Sequence, residues 1–266
     1  GGDLLVFSDA DARLAGDALR KLTAHFADPD VGGVCGQRVI AGGRGEARNA
    51  QASYVSFDSK VKELENHLGA ITSNDGKLYA IRAELFREIL PGATDDLYCC
   101  LNVVSQGKKF LFEPEALAFV PTPSRTGKKE LTRRRRIVCR SLTGIMDHRE
   151  LLRGRQFGRY GLRLFVNKVL RRLLPVSLVV LLLASAAAEP LHWVFILLLM
   201  LQLAFYATAG LYLLLPSVLR RSRTTRALQI PFYFCAGNLG TLLGLWDYVR
   251  GRRYVKWEPG RQVSHE

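Results

Sequence analysis

Three clusters in this chain have residue types and spacings suited to chemistry. The first is Asp9-x-Asp11, at the end of the apolar run Leu4-Leu5-Val6-Phe7. Two carboxylates one residue apart on a turn suit a hard divalent cation that keeps waters and bridges to phosphate oxygens. The competing reading is a helix N-cap by Asp11 or Asp17. The second cluster is Thr94-Asp95-Asp96. Adjacent carboxylates repel unless one is capped, paired or protonated, and one of them can act as a general base if it reaches an acceptor hydroxyl. Here the competing reading is capping by Thr94 or Asp95. The third is the run Arg133-Arg134-Arg135-Arg136 with Arg140. Arginine grips phosphate with two parallel N–H donors, and the same run suits attraction to anionic lipid headgroups. Tyr79 and Arg82, after Asn74-Asp75-Gly76, form a weaker set that reads by itself as a strand following a polar turn.

The elements that must position these residues follow from periodicity. The run Leu4–Phe7 reads as a strand covered on both faces, as in a parallel sheet. A helix with Leu19, Leu22 and Phe26 on one face stops near Asp28-Pro29, and Val31 to Ile40 reads as a second strand. A loop is expected at 42–45. Tyr54, Phe57, Val61, Leu64 and Leu68 recur at three and four, predicting a long helix that buries that stripe. Lys77 to Ile81 is a short strand and Ala83 to Leu90 a short helix. Asp95-Asp96 opens a helix reaching about Gln106, where acids suit the dipole. Lys108 to Phe112 and Ala116 to Val120 are two further strands. This alternation predicts an α/β domain with a mostly parallel sheet.

Composition changes sharply after Pro121. The chain has 266 residues and 38 Lys+Arg against 24 Asp+Glu, a formal charge of +14. Nearly all of the excess lies between Arg125 and Arg172, and no Lys or Arg occurs from Leu173 to Pro216. An apolar content of 48% excludes disorder. Five cysteines, an odd number with no C-x-x-C, exclude a disulfide scaffold. The basic residues flank apolar spans without any aromatic-interleaved reading motif, so nucleic acid is not an expected partner. The expected layout is an α/β domain over 1–124, basic interfacial helices over 125–172, membrane helices over 173–249 (at 173–187, 191–215 and 230–249) and a basic tail over 250–266. A turn at Glu189-Pro190 joins the first two spans. With the basic belt up to Arg172 and the Arg220 to Arg226 cluster on the inner side of the membrane, Pro231, three glycines, Asn238 and Asp247 argue for a re-entrant or interfacial third segment over a full third span.

Taken in order, these pieces are more specific than any alone. The strand ending in Ser8-Asp9-Ala10-Asp11, then Asn74-Asp75-Gly76-Lys77-Leu78-Tyr79-Ala80-Ile81-Arg82, Thr94-Asp95-Asp96-Leu97, Phe112-Glu113-Pro114-Glu115-Ala116 and Arg133 to Arg136 resemble the membrane-embedded, synthase-like branch of family 2 glycosyltransferases, akin to hyaluronan and cellulose synthases. That resemblance implies a partial GT-A, Rossmann-like fold and inverting transfer from a nucleotide-activated sugar to a glycan or lipid acceptor at the cytoplasmic membrane face. It implies that Asp9 and Asp11 hold Mg²⁺ or Mn²⁺ on the diphosphate, Asp11 as the more direct ligand. It makes Asp96 the base, and it places Arg133 and Arg136 where the family clamps the leaving diphosphate. Arg133 stands where the family has Gln and Ile137 where it has Trp, which bears on processivity, and Asp75 occupies a turn that is usually small or Gly-rich. The upstream nucleotide-binding strand of such enzymes is missing from this chain, so the chain alone is expected to be inactive or a poor donor binder. Two other readings compete. A haloacid-dehalogenase-like phosphatase would use Asp9 as nucleophile, but Arg13 stands where that family has Thr or Val. A non-enzymatic membrane scaffold leaves the three aspartates without a purpose.

Overall fold

The computed structural model describes residues 2–41, 46–121, 127–188, 192–214 and 223–255. The loop expected at 42–45, the turn at Glu189-Pro190, Arg220 and Arg221, and the tail from Lys256 onward lie outside the described residues. The chain divides into two compact units, one of Gly1–Ser124, Arg140–Lys168 and Arg253–Glu266, the other of Arg125–Cys139 and Val169–Arg252.

In the first unit, β1 (Leu4–Ser8), β2 (Arg13–Leu14), β3 (Val31–Ala41), β4 (Leu78–Arg82) and β5 (Lys109–Pro121) form one sheet in the order β1-β4-β3-β5-β2. Only β3 and β5 run parallel; β1–β4, β3–β4 and β2–β5 are antiparallel. The sheet is therefore mixed, not mostly parallel. Strand direction depends on how each connection returns, and here β4 enters between β1 and β3 against both. As a consequence β1 is an edge strand, and Leu4–Phe7 is half-buried to exposed instead of covered on both faces. The two strands expected at 108–112 and 116–120 are the single β5, whose pairing with β3 slips between Gly36 and Gln37 to absorb Pro114, Glu115 and Ala116. The slip brings the Ala116 carbonyl against the place that a Cβ on Gly36 would take, so no side chain fits there.

Helix α1 (Ala18–Ala24) packs Ala18 and Leu22 onto the sheet beside Val34, Leu78, Ala80, Ala116 and Ala118. Helix α2 (Glu46–Asn66) is present as expected but turned over. Phe57, Leu64 and Leu68 are 62%, 67% and 52% exposed, whereas Val55, Ser59, Lys62 and Glu65 are buried. The polar inner face is stable because every charge on it is met. Lys62 Nζ lies 2.9 Å from Asp58 and over the Phe112 ring. The Glu65 carboxylate accepts the Thr72 amide and hydroxyl at 2.8 and 2.7 Å and Asn167 at 2.8 Å. Asn66 pairs in both directions with the Phe112 backbone. Buried charge is tolerated where it is fully hydrogen-bonded. The helix expected at 83–90 is only a 3₁₀ turn at Ala83–Leu85. Helix α3 (Asp95–Ser105) lies under the sheet with residues 97–104 buried.

Beyond β5, helix α4 (Gly127–Asp147) continues to a 3₁₀ turn (Arg149–Leu152), α5 (Gly154–Leu164), a π-helical stretch (Phe165–Leu170) and α6 (Arg171–Ala188). Gly158 has φ +40 inside α5, and this lets the chain kink there. Helices α7 (Trp193–Leu214) and α8 (Arg223–Val249) complete the second unit. Three helical segments, Phe157–Ala188, Trp193–Leu214 and Leu228–Val249, are long and apolar enough to cross a membrane. Helix α8 is continuous through Pro231, and inside it Asn238 and Thr241 donate to the Phe234 and Gly237 carbonyls. A Cβ on Gly244 would meet the Arg135 carbonyl at 2.6 Å, so the glycine admits α4 at close range. The Asp247 carboxylate accepts Arg135 Nε at 2.5 Å and Nη2 at 2.6 Å. All five cysteines are free, four of them buried.

Candidate active site

Asp9 and Asp11 leave the carboxyl end of β1 with both side chains exposed. Their carboxylates converge on one cation: Lys77 Nζ lies 2.6 Å from Asp9 Oδ2 and 3.0 Å from Asp11 Oδ1. Burial opposes the lysine charge, but the two carboxylates outweigh it and hold its pKa above the usual value. Neither aspartate caps α1; the residue before it is Asp17, whose side chain makes no cap hydrogen bond and instead pairs with Lys21 at 2.9 Å. Among the described residues no group of three or more His, Cys, Asp or Glu gathers around one point. Two exposed carboxylates suffice for a divalent cation only where water and phosphate oxygens complete its coordination.

Asp96 sits in the first turn of α3. Its Oδ2 accepts the Gly76 amide at 3.2 Å and its Oδ1 the Leu97 amide at 2.6 Å, while its carbonyl accepts Asn74 Nδ2 at 3.1 Å. Desolvation by burial, with repulsion from Asp95, pushes its pKa up to about 6, against the pull of the Leu97 amide. That places the carboxyl near the range in which a base works at neutral pH. Capping does not explain the triplet, because Thr94 makes no side-chain cap bond and its Oγ1 is buried without a protein partner. Asn74 Oδ1 is likewise buried and unsatisfied.

The segment Asn74–Lys77 joins the two clusters: Asn74 and Gly76 hold Asp96, and the next residue, Lys77, holds Asp9 and Asp11. Asp75 in this turn lies 3.3 Å from Arg38. Arg140, which sequence grouped with the phosphate-binding arginines, instead donates Nε and Nη2 to the Ala93 carbonyl at 2.9 and 2.5 Å, fixing the peptide ahead of Thr94-Asp95-Asp96. Lys168 donates to Ser73 at 2.6 Å and adds positive potential at Asp96. Arg82 serves structure, donating to the Phe26, Asp28 and Val31 carbonyls. Tyr79 is buried and stacked on Phe7. Lys168, Arg140 and Lys77 carry no local signal of these roles, since each acts on a residue more than 40 positions away. Arg133 and Arg136 lie on α4 in the second unit.

An α/β unit with paired aspartates just past its edge strand, a half-buried aspartate in the first turn of α3 and three long apolar helices is the frame of a glycosyltransferase of the GT-A kind. The profile of glycosyl transferase family group 2 matches residues 4–208, and the chain belongs to that family. Among solved structures it is similar to a mannosyltransferase from Pyrobaculum calidifontis in complex with GDP-mannose and Mn²⁺, at 17% identity and a TM-score of 0.54. The similarity covers 95% of this chain and 64% of that protein, and it shows a shared fold. A comparison with curated proteins finds no match.

Proposed function

We propose that the protein transfers a sugar, with inversion, from a nucleotide-activated donor to a hydroxyl of a glycan or lipid acceptor at the cytoplasmic face of a membrane crossed by its apolar helices. The 1–124 region is the catalytic domain, 125–172 the interfacial part seated on anionic lipid, 173–249 the membrane part and 250–266 a basic tail. One observation carries this reading: the turn Asn74–Lys77 couples a raised-pKa carboxyl, Asp96, to a pair of carboxylates already converged on a positive charge. Asp9 and Asp11 would hold Mg²⁺ or Mn²⁺, whose chemistry is to neutralise charge on the departing diphosphate. Asp96 takes the proton of the acceptor hydroxyl as that oxygen attacks the anomeric carbon and the bond to the diphosphate breaks. A single displacement with one base inverts the configuration. Arg133 and Arg136, three apart on one face of α4, supply fixed positive charge for the leaving group. The mannosyltransferase with GDP-mannose and Mn²⁺ supports a sugar nucleotide and a divalent ion as the reactants. The phosphatase reading has no support in the family match.

Asp11→Ala is expected to abolish Mn²⁺-dependent binding of a nucleoside diphosphate, measured by titration calorimetry. Unchanged metal-dependent affinity would remove Asp11 from the site. Lys77→Gln should act in the opposite sense on the metal alone. With the competing ammonium gone, Mn²⁺ without nucleotide should bind severalfold more tightly by electron paramagnetic resonance. Weaker Mn²⁺ binding in that variant would show that Lys77 organises the aspartates instead of competing for them.

A further inference from the structure

Residues 70–75 belong to no helix or strand, yet they lead straight into the turn that holds Asp96. Irregular backbone keeps a fixed course only where its polar groups are bonded. The Ile71 amide donates to the Phe110 carbonyl at 2.9 Å, and the Ile71 carbonyl accepts Cys100 Sγ at 3.6 Å. Glu65 takes the amide and hydroxyl of Thr72. A second set of bonds comes from α5 and the π-helical stretch after it. Arg163 Nη2 donates to the Leu68 carbonyl at 3.2 Å and Nη1 to that of Ala70 at 3.0 Å. Asn167 Nδ2 donates to Thr72 Oγ1 at 3.1 Å, and Lys168 Nζ to Ser73 Oγ at 2.6 Å. So Arg163, Asn167 and Lys168 meet the loop in order, from Leu68 to Ser73, and Asn74 comes next.

The π-helix accounts for this alignment. On a regular α-helix, residues five apart point about 140° away from each other. The stretch Phe165–Leu170 bonds i to i+5, a wider turn that swings Lys168 back toward the side carrying Arg163 and Asn167. Charge adds to the geometry. Asp95 in the same turn of α3 and Asp75 in the neighbouring loop repel the Asp96 carboxylate, and Lys168 opposes them. Tyr79, Cys99 and Cys100 also feel the Asp96 charge, but burial pushes all three up, so they are neutral at pH 7.

We infer that Lys168 is a positioning residue for sugar transfer: with Asn167 and Arg163 it pins Thr72 and Ser73, so that the turn beginning at Asn74 holds Asp96 at the acceptor hydroxyl. The inference rests on the reading of Asp96 as the base.

The test compares Lys168→Met with Lys168→Arg in the full chain, purified in detergent. Lys168→Met is expected to lower kcat by about ten- to a hundredfold, as a displaced reacting group does, with donor KM unchanged. It should also move the acidic limb of kcat/KM upward from about 6, since loss of a nearby cation disfavours the carboxylate. Lys168→Arg should restore both, because a guanidinium keeps the charge and can donate to Ser73. A merely structural role would change the yield or melting of the protein and leave the pH limb and the kcat per folded molecule where they were. Ser73→Ala removes only the hydroxyl that Lys168 holds. It serves as the second variant if Lys168→Met does not fold, and should lower kcat severalfold at constant donor KM. Titration of the Asp96 carboxyl by isotope-edited carbon NMR, assigned with Asp96→Asn, needs no turnover. Its midpoint should rise in Lys168→Met and return in Lys168→Arg. Wild-type kcat in Lys168→Met or Ser73→Ala, or an unmoved Asp96 midpoint in Lys168→Met, overturns the inference. Transfer lost in Asp96→Asn but intact in Lys168→Met sinks the positioning role alone. A wild type that transfers no sugar sinks the glycosyl-transfer reading, and the NMR titration still decides whether Lys168 governs Asp96.

Discussion

Asp96→Asn is expected to lower sugar transfer by about 10²–10⁴-fold, the usual contribution of a positioned general base, while Mn²⁺-dependent donor binding persists. The measurement is release of nucleoside diphosphate from a panel of sugar nucleotides, GDP-mannose among them, alongside calorimetry of donor binding. Wild-type turnover in the variant would take Asp96 out of the mechanism. The pH profile gives an independent check. Asp96 must be ionised to accept a proton, so kcat/KM should fall as pH drops through about 6 and level off above it. Asp95→Asn removes the neighbouring repulsion and should move that midpoint downward. The sign for stability is the reverse of the sign for activity. An unfolded aspartate ionises near 3.8 and the folded one near 6, so the fold loses stability as pH rises between those values. Neutral Asn at 96 escapes that burden, which offsets the amide contact it cannot accept, and the variant should stay folded at pH 7.

The second large effect is expected in the membrane unit. Arg135→Ala leaves the Asp247 carboxylate, whose side chain is only 4% exposed, without its two-pronged partner; Arg252 stands off at 3.8 Å. Breaking a buried ion pair from one side costs about 3–5 kcal/mol. The readout is the half-life of the folded protein in detergent at raised temperature, since unfolding of such a chain is judged by rate. The double variant Arg135→Ala with Asp247→Asn should regain most of the loss, because the carboxylate that lost its two-pronged partner is then neutral. A single Arg135→Ala as durable as wild type would mean that the pair contributes nothing to holding α8 on α4. The pair also bears on the four-arginine run, because Arg135 is committed to structure.

Much of this protein was legible from local pattern. Apolar runs and three-to-four spacing located β1, β3, α2, α3 and the three long apolar helices, because period and length are properties of neighbouring residues. The charge boundary near Pro121 and the absence of Lys and Arg from Leu173 to Pro216 separated the α/β region from the membrane-length helices for the same reason. The order of the aspartate clusters, set against a known family, pointed to the family that the profile match established. Tertiary structure decided what depends on distant partners. Strand direction followed from the insertion of β4 between β1 and β3. The outward turn of the Phe57–Leu68 stripe followed from Asp58, Thr72, Asn167 and Phe112 satisfying the polar side of α2. Spacing alone marks a stripe as apolar but does not say which face finds partners. The placement of Lys77 between Asp9 and Asp11, of Arg140 on the Ala93 carbonyl and of Arg135 on Asp247 likewise joins residues 47 to 112 positions apart. A side chain's charge is written in the sequence, but the group that answers it is chosen only when the chain closes on itself.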